Sequence, residues 1–229
     1  QHELSSVRIC VSAGEALPTD IFDRWKKRFG IEIIDGIGST EMLHIFLSNR
    51  PGDIKPGSTG KPVPGYELKL VDENGQEVPS GEIGTLHVKG DSAAQQYWRK
   101  REKTKVTMQG EWVNTGDKYY VDEEGYYWCA GRADDMLKVG GIWVSPLEVE
   151  NTLNQHPAVL ECAVVGVPDE KGLTKPKAFI RLRDGHERSE ALKEELKQWV
   201  LDRQAKFKYP RWIEFVDDLP KSSTGKIQR

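Results

Sequence analysis

The sequence predicts the end of a parallel α/β layer, then a β-rich region, and then a small α+β domain at the carboxyl end. A strand–helix–strand order in residues 7–34 predicts the first part, because that order is typical of parallel sheets. Short alternating apolar segments between Gly and Pro turns, over residues 49–131, predict the second part. A short charged segment follows Arg132, so we expect the domains to span 1–133 and 134–229.

The first part is predicted to contain one βαβ unit. Val7–Val11 has the composition of a buried strand, and Ile31–Ile34 that of a second, β-branched strand. Between them, Pro18–Phe29 carries apolar side chains at helical spacing, which predicts a helix. The second strand then leads directly into Gly36-Ile37-Gly38.

The β-rich region is predicted to contain two hairpins, one helix and several short strands. The segments VDENGQEV and VDEEGYYW place Gly turns between apolar residues, which is typical of hairpins. The helix is expected around Trp98–Met108. The strands are expected at Tyr66–Val71, Ile83–Val88, Tyr119–Val121 and Tyr126–Cys129.

The carboxyl-terminal domain is predicted to mix helices and strands. Apolar residues at helical spacing indicate two helices, and β-branched runs indicate the strands. The expected elements are a hairpin at Met136–Val144, helices at Pro146–Gln155 and Ser189–Gln204, and strands at Val159–Val165, Lys177–Arg181 and Trp212–Val216.

The composition excludes several classes of protein. The 33 basic and 36 acidic residues give a net charge of −3, which argues against a dedicated nucleic-acid binder. No apolar run approaches the roughly 20 residues needed to cross a membrane. Cys10, Cys129 and Cys162 are odd in number and far apart, which favours reduced thiols in a cytoplasmic protein. None has the spacing of a zinc site.

Two familiar nucleotide-binding motifs fail in this sequence. Gly36-Ile37-Gly38 would need a third Gly at position 41 to form a dinucleotide fingerprint, but Glu41 stands there. Gly225-Lys226 would need Gly at position 220 and Ser or Thr at position 227 to form a P-loop. Pro220 and Ile227 occupy those positions, so we reject both motifs.

The segment Gly38-Ser39-Thr40-Glu41 keeps two interpretations open. Backbone N–H groups and two hydroxyls can surround phosphate oxygens, and the adjacent carboxylate can hold Mg²⁺ directly or through water. Alternatively, Ser39 or Thr40 caps a helix whose first turn contains Glu41. Taken alone, the segment favours the helix cap.

Three further sites allow both a functional and a structural interpretation. Asp117 is expected in a Gly turn between strands, where it could accept both ribose hydroxyls or form an ordinary Asx turn. The cluster Arg132, Asp134, Asp135 and Lys138 is either a functional hinge or a solvated one. His44 follows Glu41 by one helical turn if a helix starts there, and a lone His is more often structural than catalytic.

Six segments in order resemble the adenylate-forming enzymes, the superfamily of acyl-CoA synthetases, luciferases and peptide-synthetase adenylation domains. They are SAGEAL, GIGSTE, GEIGTLHVKG, NTGD, GRADDMLKVGG with VSPLEVE, and PKSSTGKIQR. The segments GIGSTEMLHIFLSN, GKPVPGYEL, DDMLKVGGIWVSP and GLTKPKAF are similar to benzoate and hydroxybenzoate CoA ligases in particular. The resemblance extends over essentially the whole chain.

The resemblance implies a two-step reaction that uses ATP, Mg²⁺ and coenzyme A. A carboxylate attacks the α-phosphate to give acyl-AMP and pyrophosphate, and the thiol of CoA then displaces AMP. The expected substrate is benzoate or a substituted benzoate, with a fatty acid or another acid as the alternative. The family's phosphate loop and much of its acyl pocket would precede position 1. We therefore expect a C-terminal portion that is inactive by itself, or a non-catalytic nucleotide-binding fragment.

The resemblance also implies a role for each matching residue. Nucleotide contacts are expected from Gly14, Glu15, Ala16, Asp35, Gly36, Ile37, Gly38, Ser39, Thr40, Asp117, Arg132 and Lys138. Glu41 would hold Mg²⁺ and act with Thr40 in catalysis, and Gly36, Gly38 and His44 would line the aryl-carboxylate pocket. Asp134 matches the hinge, and the hairpin of thioesterification matches Lys138, Val139, Gly140 and Gly141.

Lys226 matches the lysine of adenylation. One anion attacks another in that step, so a fixed ammonium is needed where negative charge develops. A compact ammonium can bridge carboxylate and phosphate oxygens at once, and Gly225 allows close backbone approach. As an exposed lysine, Lys226 is also a candidate for a lysine acetyltransferase, which would remove its charge. The sequence is compatible with a homodimer.

Overall fold

The computed structural model describes residues 4–223 and 225–228. The chain divides into two compact units, Gln1–Ala133 and Asp134–Arg229, and each is described by itself. The predicted combination of α/β and α+β architecture is confirmed.

The first sheet of the first unit contains the predicted βαβ element. Strand β1 (Cys10–Ala13) pairs in parallel with β2 (Ile33–Gly38), and helix α1 (Thr19–Phe29) connects them. Strands β3 (Ile45–Ser48) and β4 (Lys61–Pro62) continue the sheet in antiparallel fashion, in the order β1-β2-β3-β4. Helix α1 ends at Gly30, whose φ of 68° is the left-handed conformation that favours glycine.

The prediction of a buried strand at Val7–Val11 is wrong. The strand begins three residues later, at Cys10, and Ile9 and Val11 are 59% and 56% exposed. Among the described residues, strand β1 pairs only with β2 and so lies at the edge of the sheet. Apolar composition predicted burial, but burial requires a packing layer, and the described residues supply none over these side chains.

A second, antiparallel sheet forms the β-rich region. Its strands are β5 (Glu67–Val71), β6 (Gly84–Lys89), β7 (Met108–Gln109), β8 (Trp112–Val121) and β9 (Tyr127–Arg132). They pair in the order β5-β6-β8-β7, with β9 also on β8, and the short helix α2 (Arg101–Thr107) precedes β7. The turns of both predicted hairpins form, because Asp72 and Asp122 each accept two backbone N–H groups.

The core of the first unit joins its two sheets. Met42, Phe46 and Leu47, from the turn after β2 and from β3, have no solvent exposure. They pack with buried side chains of the second sheet, namely Leu70, Leu86, Val88, Val113 and Tyr119. The turn at residues 39–42 is therefore fixed by core packing immediately beside it.

The second unit is an α+β fold. Its elements in order are β10 (Leu137–Val139), β11 (Ile142–Val144), α3 (Pro146–Asn154), β12 (Val159–Pro168), β13 (Thr174–Leu182), α4 (Glu190–Leu201) and β14 (Trp212–Phe215). Strands β12 and β13 are antiparallel, and β14 pairs in parallel with β13. Both helices begin at serine caps, as Ser145 and Ser189 accept N–H groups three residues onward.

Candidate functional site

The carboxyl ends of β1 and β2 lie at one edge of the first sheet. The two strands are parallel, and Ala13 is paired with Gly36. Gly14, Glu15 and Ala16 therefore leave β1 beside the end of β2. This edge is where open α/β sheets bind ligands, because loops diverge there and leave a crevice.

Asp35 is a buried carboxyl at this edge. Its side chain is only 6% exposed, and burial raises its pKa to about 7, although backbone N–H groups of Leu17 and Gly36 partly oppose the rise. Its Oδ1 atom has no hydrogen-bond partner among the described residues. Because buried polar atoms are nearly always hydrogen-bonded, this oxygen is suited to receive a donor from a ligand.

Two glycines of β2 lie too close to β3 for side chains. A Cβ atom on Gly38 would lie 2.6 Å from the carbonyl carbon of His44, and one on Gly36 would lie 3.0 Å from the carbonyl oxygen of Leu47. The sequence places glycine there because the two backbones approach closely. The result is a surface at the end of β2 that is made of backbone rather than side chains.

The helix-cap interpretation of residues 38–41 is wrong. The chain turns at Ser39, whose Oγ accepts the N–H of Met42 at 3.3 Å, and then enters β3. Leu43 has a φ of 72°, a left-handed conformation that is uncommon for a branched residue, and it is 79% exposed. His44 is exposed and lies outside any helix, so its predicted spacing of one helical turn from Glu41 does not apply. Thr40 is also exposed.

Glu41 is held by a segment that the sequence analysis did not single out. The hydroxyl of Tyr97 donates to Glu41 Oε1, and the N–H of Ala94 donates to the Glu41 carbonyl at 2.7 Å. Ser92 Oγ donates to the carbonyl of Met42 at 2.8 Å. Residues 92–97 therefore line the turn at 39–42 through contacts between residues that are 50 to 56 positions apart in the chain.

These contacts keep Glu41 ionised. Partial burial is the largest single influence and acts to raise the pKa of Glu41, but the hydrogen bond from Tyr97 opposes it. Further hydrogen bonds and the positive charge of Lys103 act in the same direction as Tyr97, and the net pKa lies below its usual value. No spacing rule links Tyr97 to Glu41, so only the folded structure reveals this pair.

Asp117 and Arg132 face each other across two paired strands. They are direct partners in the register of β8 and β9, and Arg132 Nη1 donates to Asp117 Oδ1 at 2.8 Å. The same nitrogen donates to the Thr115 carbonyl at 3.1 Å. The prediction of a Gly turn between strands is wrong here, because β8 is continuous from Trp112 to Val121. Gly116, with a φ of 74°, forms an irregularity within this strand.

Asp35 and Asp117 belong to one region of the first unit. Burial raises the pKa of the Cys129 thiol to about 11, and the charges of Asp117 and Asp35 both add to the rise. Both carboxyls therefore act electrostatically on the thiol of Cys129, a partly exposed residue of β9. The predicted adenine-side and ribose-side carboxyls, Asp35 and Asp117, both belong to the first unit.

The predicted hairpin of the second unit forms as expected. Strands β10 and β11 pair through a two-residue turn at Gly140 and Gly141, with φ values of 58° and 88°. Lys138 extends from β10 and lies over the ring of Trp143, 5.2 Å from its centroid. Val139 is buried, whereas the turn is open on its outer side, since a Cβ on either glycine would meet nothing within 4 Å. Asp134 is the first residue of this unit.

Lys226 lies on a short hairpin near the carboxyl end. Lys221 and Ile227 are bridged in antiparallel fashion, and Ser222 N–H donates to the Lys226 carbonyl at 2.8 Å. Ser222 Oγ accepts the Lys226 N–H at 3.2 Å, and Gly225 adopts a φ of 83°. Lys226 is exposed, so its ammonium can approach a bound ligand.

Three further features of the described residues concern metal binding, membrane-spanning helices and disulfides. No group of three or more His, Cys, Asp or Glu side chains is placed to hold a metal ion. None of the described helices is long and apolar enough to cross a membrane. Cys10, Cys129 and Cys162 form no disulfide.

A buried carboxyl at the end of β2 and an Asp117–Arg132 pair on one unit, together with an exposed lysine hairpin on the other, are features of an adenylate-forming enzyme. The chain belongs to the family of AMP-binding enzymes. Residues 1–98 match the AMP-binding enzyme family, and residues 148–226 match the AMP-binding enzyme C-terminal domain.

The relatives of this chain include aryl-CoA ligases. The chain is 61% identical over 224 residues to benzoate–CoA ligase of Thauera aromatica, and 51% identical to 4-hydroxybenzoate–CoA/benzoate–CoA ligase of Rhodopseudomonas palustris. Each match covers 97% of this chain but only 42% of the relative. The chain therefore spans about two fifths of the length of these relatives.

Solved structures agree with this assignment. A benzoate CoA ligase from Burkholderia xenovorans is 60% identical, with a TM-score of 0.92 over 97% of this chain and 45% of that one. An anthranilate CoA ligase in complex with anthranoyl-AMP is 62% identical, with a TM-score of 0.95 over 99% of this chain and 44% of that one.

Proposed function

We propose that these residues form the C-terminal portion of an ATP-dependent aryl-CoA ligase that converts benzoate or a substituted benzoate to its CoA thioester. The observation that carries the proposal is the buried Asp35 at the carboxyl end of β2, whose Oδ1 has no hydrogen-bond partner among the described residues, in a unit that also holds the Asp117–Arg132 pair. The names of the aryl-CoA ligases that resemble this chain supply the substrate class.

The nucleotide is proposed to bind along this edge. The loop Gly14–Ala16 and the end of β2, from Asp35 to Ile37, would border the adenine, whose amino group can donate to Asp35. Asp117 would accept the ribose hydroxyls, and Arg132 orients its carboxylate. Gly38, Ser39 and Thr40 would face the phosphates with backbone N–H groups and hydroxyls.

Mg²⁺ would be held by Glu41, and this site fits the ion. Mg²⁺ prefers oxygen ligands, and it is commonly bound through one or two carboxylates together with substrate phosphates. Glu41 is kept ionised and oriented by Tyr97, which suits a single carboxylate ligand. When bound, the ion would neutralise phosphate charge during attack by the benzoate carboxylate.

The two half-reactions are proposed to use different groups of the second unit. In adenylation, a benzoate oxygen bonds to the α-phosphorus as the bond to pyrophosphate breaks, and Lys226 stabilises the negative charge that develops. In thioesterification, the CoA sulfur bonds to the acyl carbon as AMP leaves and the thiol proton is lost to solvent. The hairpin of Lys138, Val139, Gly140 and Gly141 would guide the thiol.

A mobile second domain follows from this proposal. Two sets of catalytic groups cannot occupy one site at once, so a rotation at Asp134 would exchange them. Gly36, Gly38 and His44 would line the aryl pocket, where the two glycines present backbone rather than side chains beside β3. We further propose that the protein is cytoplasmic, that it forms a homodimer and that Lys226 is acetylated.

Pyrophosphate release by the full-length protein tests the function. We expect release that depends on ATP and on benzoate or hydroxybenzoates, and formation of the matching CoA thioester when CoA is added. A clear preference for fatty acids would overturn the aryl assignment. AMP binding without any pyrophosphate release would support the non-catalytic alternative instead.

A further inference from the structure

A network of ion pairs lies at the base of the Lys226 hairpin. Glu161, on β12, contacts Lys221 Nζ with its Oε2 atom at 2.8 Å and Arg181 Nη1 with its Oε1 atom at 3.0 Å. Arg181 lies opposite Glu161 in the β12–β13 register and also contacts Asp218 Oδ1 at 3.5 Å. One carboxylate thus links two strands of the sheet to the chain segment that leads into the hairpin.

Lys221 is part of the hairpin itself. Its backbone is bridged to Ile227, the residue immediately after Lys226, and Pro220 accepts the N–H of Gln228 at 2.9 Å. The contacts of Ser222 with Lys226 are internal to the hairpin, so they fix its shape but not its direction from the sheet. Leu219, which is buried, anchors the chain just before it.

Glu161 is better shielded than most surface carboxylates. Its side chain is 22% exposed, whereas that of Asp218 is 72% exposed. Burial by itself would raise the pKa of Glu161, but the charges and hydrogen bonds of Lys221 and Arg181 lower it below the usual value. The carboxylate therefore stays ionised and can use both oxygens at once.

We propose that Glu161 is a positioning residue for adenylation, because its ion pair with Lys221 sets the direction in which the hairpin presents Lys226. This inference rests on the proposed function. Adenylation needs the ammonium within contact of the reacting oxygens, and a misplacement of about 1 Å is enough to cost orders of magnitude in rate. Thioesterification needs a different hairpin, so Glu161 should not affect it.

The test compares both half-reactions in the full-length protein. Glu161→Gln keeps the size of the side chain but removes its charge, and Lys221→Met removes the partner. We expect each to slow single-turnover adenylation of benzoate about tenfold, with the KM for ATP unchanged. Conversion of supplied benzoyl-AMP to benzoyl-CoA should proceed at the wild-type rate. Lys221→Arg, which keeps the ion pair, should retain most of the adenylation rate.

Glu214→Gln is the matched control. Glu214 pairs with Lys177 at 2.7 Å on the same sheet, but neither residue contacts the Lys226 hairpin in any described interaction. We expect it to leave both half-reactions unchanged and to lower the melting temperature no more than Glu161→Gln does, because the Glu214 side chain is 54% exposed and has one ion-pair partner among the described residues.

Several outcomes would overturn the inference. Equal slowing of both half-reactions by Glu161→Gln would indicate general destabilisation, and unchanged adenylation would show that the ion pair has no role. The double variant Glu161→Gln/Lys221→Met should be no slower than either single variant, so multiplied effects would also contradict it. Absence of benzoyl-CoA synthesis in the wild type would instead refute the proposed function.

Discussion

The nucleotide edge of the first unit and the lysine hairpin of the second are built in different ways. Asp35 is buried in a sheet strand, and Glu41 is held by contacts from residues 92–97. Lys226 instead lies exposed on a short hairpin whose own bonds are local. Under the proposed function, Asp35 borders the nucleotide in both half-reactions, so it can be fixed within the sheet. A group needed in only one is suited to a movable support.

The largest expected effect is at Lys226. Lys226→Ala in the full-length protein removes the ammonium that we propose stabilises charge during adenylation, and we expect that step to slow by about 10²–10³ or more. Thioesterification of supplied benzoyl-AMP should persist. If rapid-quench measurements show that Lys226→Ala slows both half-reactions equally, the distinction between fixed and movable groups is wrong.

A substitution in the glycine turn of the 138–141 hairpin should slow thioesterification rather than adenylation. Gly141→Leu places a bulky side chain at a φ of 88° and in the path expected for the CoA thiol, and we expect thioesterification to slow by about 10² with adenylation retained. Gly172→Leu is the control, because it creates similar strain at a φ of 76° in another open turn. A pure adenylation defect in Gly141→Leu would count against the assignment.

A smaller effect is expected at Tyr97, on the fixed side of the comparison. Tyr97→Phe removes the hydrogen bond to Glu41, so the Glu41 pKa should rise and the Mg²⁺ concentration for half-maximal adenylation should increase about tenfold. Tyr126→Phe is the control variant, because the Tyr126 hydroxyl also donates a hydrogen bond to an acidic side chain, that of Asp53. An unchanged Mg²⁺ requirement, measured at constant ATP, would remove the role given to Tyr97.

The smallest change in turnover is expected for a substitution of Asp35. Its effect is better measured as a change in melting temperature. The folded pKa of about 7 lies above the unfolded value, so the buried group favours folding most at low pH. This contribution decreases as the pH rises toward 7 and beyond. Asp35→Asn, which keeps an acceptor oxygen, should remove that part of the pH dependence from the melting temperature between pH 5 and pH 8, on the order of a few degrees. A wild-type melting temperature that is flat over this range would contradict the raised pKa.

Local patterns predicted much of the fold. Alternation of apolar and polar residues predicted the strands of the β-rich region, and apolar residues at helical spacing predicted α1, α3 and α4. Both patterns depend on residues that are close together in the chain. The two hairpin turns, from Asp72 to Gly75 and from Asp122 to Gly125, formed for the same reason. The prediction failed at Val7–Val11 and at residues 38–41, where burial or the path of the chain depends on distant residues.

The sequence by itself determined which chemical groups occupy the motif positions, and which glycines permit the turns at residues 140–141 and 225. Those properties follow from residue type and backbone sterics alone. Tertiary structure decided that Asp35 is buried, that Tyr97 holds Glu41 from 56 residues away, and that Glu161 reaches Lys221. Desolvation and charge pairing act through space rather than along the chain. For that reason only the fold shows which of these side chains share an environment.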